Sequence, residues 1–299
     1  MGRLAVVSDL HVDINQLVTE DLEKLAQILQ DNNVSRIHFA GDTANKIEPA
    51  LAVFDFFQRY GWPTTFNWGN HEMADLTEAT IETFDDQRFL NFRTAPLSKD
   101  LVLLGVNGWY DYGYSTILDQ KKIRRMKNLY WYDRMIQRSA SDPDINQGLL
   151  QQLHSCLTKL TQQEKEVILV THFVPRREFI VYQTNPAYER WNELNAFLGS
   201  EAVGDLIDHF PNVRQVIFGH THRRFTDKSI NGVQYSCRPF GYFYEWQMTR
   251  RFMQEYQLTE VLNPLKFRGI IHRNRPLFDE YKEKHLPEEF QQAITYIEY

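Results

Sequence analysis

Seven side chains of three kinds, Asp9, His11, Asp42, Asn70, His172, His220 and His222, fall in short clusters that could together hold metal ions. The clusters read Ser8-Asp9-Leu10-His11, Gly41-Asp42, Gly69-Asn70-His71-Glu72, Thr171-His172 and Gly219-His220-Thr221-His222. Their donors are imidazole nitrogen, carboxylate oxygen and amide oxygen, with no thiolate among them. That mixture suits Mn²⁺, iron, Zn²⁺ or Ni²⁺ better than Ca²⁺ or a structural zinc. Asp9 and His11 are two apart, as are His220 and His222, and in extended chain such pairs project to one side. Each pair is therefore expected to reach one metal cluster from an unbent backbone. Gly41, Gly69 and Gly219 allow a sharp turn and a close approach where a side chain would obstruct.

These clusters need elements that bring them to one place. Leu4 to Val7 is a short apolar run that reads as a buried strand, two more strands are read at Ile37 to Ala40 and Thr64 to Asn67, and helical patterns lie between them through Leu22, Leu25, Ile28 and Leu29 and over Ala50 to Phe57. The β-α-β-α-β alternation predicts an α/β fold with parallel strands and right-handed crossovers. Further strands are expected at Leu101 to Val106, Val167 to Val170 and Val213 to Phe218. Each of the five clusters directly follows a strand. In open α/β sheets ligands bind beyond the carboxyl ends of the strands, so five strand ends deliver the clusters to one edge.

Any one cluster alone would be structural by default; the ordered set, each member at a strand end, is what carries the metal reading. His38, His154, His209, His272 and His285 lie outside it and are assigned no role. Rival motifs are missing. His71-Glu72-Met73-Ala74-Asp75 lacks the second histidine of a zinc-protease helix, and there is no Gly-x-Ser-x-Gly elbow, no Gly-Lys of a P-loop and no Gly-x-Gly.

The bulk numbers are compatible with an enzyme. A chain of 299 residues, 42% apolar and 24% charged, has ample length for one large core. The net charge of -6 argues against a general polyanion binder. Cys156 and Cys237 stand far apart in no metal-binding spacing, so reduced thiols and a cytoplasmic location are expected. No leader pattern is visible, and no apolar run approaches the roughly 20 residues that span a bilayer, so no membrane partner is expected.

The ordered set Asp9-Leu10-His11, Gly41-Asp42, Gly69-Asn70-His71-Glu72, His172 and Gly219-His220-Thr221-His222 resembles the calcineurin-like metallophosphoesterase family over residues 1 to about 225. The resemblance implies a four-layer α/β sandwich of two mixed β-sheets flanked by helices. It implies that Asp9, His11 and His222 hold a first metal, that Asn70, His172 and His220 hold a second, and that Asp42 bridges them. The two divalent or transition ions, of manganese, iron, zinc or nickel, would activate a bridging hydroxide that attacks a phosphoric ester. His71 would be the general acid that protonates the leaving oxygen; a bland alternative makes it an orienting group for a ligand.

Residues 1–245 are expected to form the metallophosphoesterase domain. The span 107–165 would be a helical, aromatic-rich insertion or cap, with helices around Ile117 to Arg138 and Gln147 to Leu160. Residues 246–299 would be a C-terminal extension packed on the core. Trp109, Tyr110, Tyr112, Tyr114, Tyr130, Trp131 and Tyr132 give the insertion either a core of its own or a lid that sets substrate choice. Arg223 and Arg224, beside His222, are candidate phosphate contacts. The basic run Lys121 to Lys127 reads first as a solvated face, and contact with nucleic acid is possible but not favoured. The expected partner is a phosphorylated small molecule or nucleotide. A phosphodiester is slightly favoured over a monoester, and a non-catalytic interaction module on the same fold is the alternative from another class.

Overall fold

The structure, a computed structural model, describes residues 2–299. Ten strands run in chain order: β1 (Arg3–Val7), β2 (Arg36–Ala40), β3 (Thr64–Asn67), β4 (Arg93–Pro96), β5 (Leu101–Val106), β6 (Glu166–Thr171), β7 (Val213–Phe218), β8 (Lys228–Ile230), β9 (Val233–Cys237) and β10 (Ile294–Glu298). They form two sheets, in the orders β10-β1-β2-β3 and β4-β5-β6-β7-β9-β8. The inner pairings β1-β2-β3 and β5-β6-β7-β9 are parallel, while β10, β4 and β8 pair antiparallel at the edges, so both sheets are mixed.

Both faces of β1, β5 and β6 are covered, which is why they read as nearly continuous apolar runs and not as alternating ones. Leu4 and Val6, Leu101 and Leu103, Ile168 and Val170 join Ile217 and Ile297 in one apolar layer where the sheets meet. Their neighbours Ala5, Val7, Val102, Leu104, Val167 and Leu169 point the other way, into the helices. Helix, sheet, sheet, helix is the four-layer sandwich expected from the resemblance. The crossover helices Thr19–Asp31 and Ile47–Arg59 bury Leu22, Leu25, Leu29, Val53, Phe54 and Phe57 at helical spacing.

Two segments differ from the sequence-based boundaries. Within 107–165, the helix Asp142–Gln162 packs on β6 as the crossover from β5. The excursion beyond the sandwich therefore narrows to the helix Gln120–Tyr130 and the short turn Tyr132–Met135. Within 246–299, the helices Gln247–Glu255, Pro264–Arg273 and Arg275–Gln292 lead into β10, which lies beside β1 from Arg3↔Glu298 to Val7↔Ile294. The chain's last residues are thus an edge strand of the first sheet. No helix among the described residues is long and apolar enough to cross a membrane.

Candidate metal centre

All seven expected ligands meet where the carboxyl ends of β1, β2, β3, β6 and β7 open onto one edge shared by both sheets. Atoms of Asp9, His11, Asp42 and His222 lie within 4.8 Å of one another, and so do atoms of Asp42, His172 and His220. Asn70 joins the second group, its Oδ1 3.2 Å from His172 Nε2. Asp42 belongs to both groups.

The backbone reaches this geometry by a route different from the expected extended pairs. Asp9, His11, Asp42, His220 and His222 all have left-handed φ, between 42° and 67°. His220 and His222 serve separate groups, whereas Asp9 and His11 serve the same one. Left-handed backbone is strained for residues other than glycine. Hydrogen bonds offset the strain: His220 N–H donates to Asp9 Oδ1 (3.0 Å) and His71 N–H to Asp42 Oδ1 (2.9 Å). The glycines make these bonds possible. A Cβ on Gly69 would stand 2.1 Å from Asp42 Oδ1, and one on Gly219 2.1 Å from Asp9 Oδ2.

The donor atoms fit cations. Facing imidazole nitrogens crowd together, His11 Nε2 to His222 Nε2 at 3.0 Å and His220 Nδ1 to His172 Nε2 at 3.2 Å. Three outer nitrogens are held elsewhere, His172 Nδ1 by Ala40 O, His220 Nε2 by Phe197 O and His222 Nδ1 by Glu245 (2.8 Å), while His11 Nδ1 is buried without a partner. Such outer partners fix which ring nitrogen faces a metal. Asp42 Oδ2 is buried with no hydrogen-bond donor, although its carboxylate is almost wholly enclosed. A buried carboxylate oxygen left in this way is costly unless a cation meets it.

The electrostatics carry the same tension. Burial, with His71 nearby, holds His11 well below the usual imidazole range, and burial with His172 holds His220 down to about 3. Burial also pulls on His172 and His222, but carboxylates outweigh it. Asp42 holds His172 up to about 9, and Glu245 with Asp9 holds His222 up to about 10. Against its own burial, Asp42 is kept well below the carboxylate range by His172 and His71. Protons on these rings do what bound cations would do, so cation binding would displace them.

His71 is fixed on three sides. Its Nδ1 faces Asn45 Oδ1, its Nε2 is 3.1 Å from the Tyr242 hydroxyl, and its ring stacks on Tyr132 at 4.1 Å between centroids. Burial lowers its pKa against the pull of Asp42. A cleft of about 480 Å³ opens over His71, Asn70, His220 and His222, walled by Tyr130, Trp131 and Tyr132. The aromatic segment is thereby split. Trp109, Tyr110, Tyr112 and Tyr114 are buried core, and the later three line the cleft. Arg223 reaches the cleft, but Arg224 does not act there: its guanidinium is held by Glu289, Gln292 and Pro239 O. In the basic run, Lys127 pairs with Asp142 (2.7 Å) and Lys122 with Glu193 (3.0 Å).

Several residues that matter here were given no role from the sequence. Glu72 accepts four backbone N–H groups, Asp133 accepts Asn70 Nδ2–H at 2.7 Å, and Tyr242 and Glu245 arrive from the segment after β9. Glu72 was visible as part of its cluster, though without a role; hydrogen-bonding residues remote in sequence carry no spacing signal.

The sequence model for the family described as calcineurin-like phosphoesterase matches residues 2–224, and the chain belongs to that family. Family membership places it among metal-binding hydrolases of phosphorylated substrates. Among solved structures it is similar to the phosphopantetheinyl hydrolase from Mycobacterium tuberculosis, with 16% identity, TM-score 0.61, and coverage of 82% of this chain and 92% of that one. A dimetal phosphatase from Danio rerio matches with 13% identity and TM-score 0.48, over 80% of this chain and 87% of that one. The first of these shows a shared architecture and nothing about substrate. No curated protein sequence gives a significant match.

Proposed function

We propose that the chain hydrolyses a phosphoric ester, with a phosphodiester favoured, at a centre of two metal ions. The observation that carries this is the double membership of Asp42, whose unpartnered Oδ2 lies 3.2 Å from His172 Nε2 and 3.8 Å from His11 Nε2. Asp9, His11 and His222 would hold one ion, Asn70, His172 and His220 the other, and Asp42 both. The donor set suits manganese, iron, zinc or nickel. When bound, the ions supply Lewis acidity towards the phosphoryl group and lower the pKa of water.

The remaining work falls to side chains. Asn45 accepts a hydrogen bond from His71 Nδ1–H, which directs Nε2 into the cleft. The acid is therefore the doubly protonated ring, made a stronger acid by burial, and its Nε2 proton passes to the departing oxygen to leave a neutral ring still held by Asn45. Stacking on Tyr132 keeps the ring in that orientation. Arg223, exposed at the cleft wall, pairs with a non-bridging phosphate oxygen. Aromatic walls accept organic groups and exclude water around the ester. A diester brings less negative charge past Glu245 and Asp42 than a monoester does.

The test is reconstitution of the metal-free protein with Mn²⁺, Fe²⁺, Ni²⁺ or Zn²⁺, followed by assay on paired aryl monoester and diester substrates. Two ions per chain and faster diester turnover are expected. Failure of all four metals to give turnover would move the chain to the interaction-module class, and a monoester preference would reverse the substrate order.

A further inference from the structure

A second cleft, of about 720 Å³, adjoins the candidate centre. It shares Thr221, His222, Arg223 and Glu245 with the aromatic cleft and continues along the helix Gln247–Glu255. Arg223, Arg224, Arg250 and Arg251 stand on its wall. Two of them are neutralised: Arg224 pairs with the buried Glu289, and Arg251 with Glu288 at 2.9 Å. The third carboxylate of the wall, Glu245, is taken by His222. Among the described residues this leaves Arg223 and Arg250 with no carboxylate, in a chain whose net charge is -6. The Arg223 guanidinium carbon lies 5.5 Å from the centre of the Phe225 ring.

A solvated surface arginine needs no ligand, and Arg250 alone would carry no argument. The arrangement differs from that case in two ways. The pair lines a concavity, where the field of unpaired cations is focused. And the concavity is continuous, through Arg223, with the place where the scissile phosphate would sit. Guanidinium groups bind phosphate oxygens in pairs, with geometry that a lysine does not offer.

We propose that this cleft is a second anion subsite, which takes a phosphate group of the substrate other than the one being cleaved. The inference rests on the reading of the metal centre as the hydrolytic site and deepens it. The substrate class becomes a phosphoric ester whose organic part lies against Tyr130, Trp131 and Tyr132 and whose second phosphate lies between Arg223 and Arg250. Arg223 faces both clefts and orients the two ends relative to each other.

The experiment is a calorimetric titration of the metal-loaded protein with AMP and with adenosine bisphosphate carrying one phosphate on each of two ribose oxygens. The bisphosphate should bind at least about tenfold more tightly, which corresponds to ~1.4 kcal/mol. Arg250→Ala should reduce that ratio to near unity, and Arg250→Glu should invert it. Equal affinities in the wild type, no binding of either compound, or a ratio that survives both substitutions would overturn the proposal. The aryl-ester assay separates the two readings. Turnover without a bisphosphate preference removes the subsite alone, whereas a preference sensitive to Arg250 without any turnover keeps the anion site and removes the hydrolytic reading.

Discussion

Glu72→Gln changes one atom of a fully buried side chain and should unfold the protein well below the wild-type temperature. Oε1 of Glu72 accepts from Thr43 N–H (2.5 Å) and Ala44 N–H (3.1 Å), and Oε2 from Asp42 N–H (2.9 Å) and Gly69 N–H (3.0 Å). A glutamine presents an NH₂ group at one of these two positions in either orientation, so two backbone donors lose their acceptor and face another donor. Each buried group orphaned in this way costs about 1–3 kcal/mol, which gives roughly 2–6 kcal/mol in all. Burial, with Asp42 beside it, pushes Glu72 up to about 7, so removing the charge returns some desolvation energy. A loss near ~3 kcal/mol remains, a large part of the roughly 5–15 kcal/mol that holds a typical domain.

At about 2–4 °C per kcal/mol for a large domain, the midpoint should fall by roughly 6–12 °C. The measurement is thermal unfolding followed by circular dichroism on metal-free protein, because bound ions would add their own stabilisation. It is best made about one pH unit above the carboxyl's shifted midpoint, where the acceptor form prevails. The same bonds position the Asp42 loop against the Gly69 turn, so metal affinity should weaken as well. A midpoint within about 2 °C of wild type, together with unchanged metal affinity, would refute the idea that Glu72 ties the two loops together.

His71→Ala should retain both metals while losing roughly 10²–10⁴-fold in turnover on alkyl esters and much less on aryl esters, as comparison of leaving groups in steady-state kinetics would reveal. Asp133→Ala should weaken metal binding by about 10–100-fold, because Asn70 Nδ2–H loses the acceptor that turns Oδ1 towards the centre; Asp133→Asn, which keeps an acceptor oxygen, should recover most of it in a metal titration. Burial lowers His38 from 6.5 to about 4 between its partners Thr65 and Asn67. Between those values the unfolded chain holds the extra proton, so stability falls as pH drops from 6.5 to about 4, by at most ~3 kcal/mol, and is unaffected by this group above 6.5. Urea unfolding of wild type and His38→Gln at both ends of that range should show a smaller acid loss in the variant.

How far the sequence reaches depends on what each position must satisfy. The central strands were legible because burial on both faces leaves only apolar residues for Leu101–Val106 and for the Val216–Phe218 end of β7. Edge strands escape that demand. β8 is three residues long, β4 is largely exposed, and β10 follows a helix that holds Pro287 within it and shows little periodicity. The ligand candidates were legible for a similar reason, since few side chains can meet a cation and those few recur after successive strands. Their backbone was not. Spacing alone suggested extended pairs, whereas five of the residues adopt left-handed φ, and only the flanking Gly41, Gly69 and Gly219 betray how tightly the loops pass one another. The supporting groups follow the opposite logic. Any acceptor in the right place can hold His222 Nδ1 or Asn70 Nδ2, so Glu245 and Asp133 are fixed by position and not by type, and position is what folding supplies. Substitutions at the supporting residues should therefore tolerate an isosteric acceptor, whereas substitutions at Asp42 should not, because its carboxylate alone serves both donor groups.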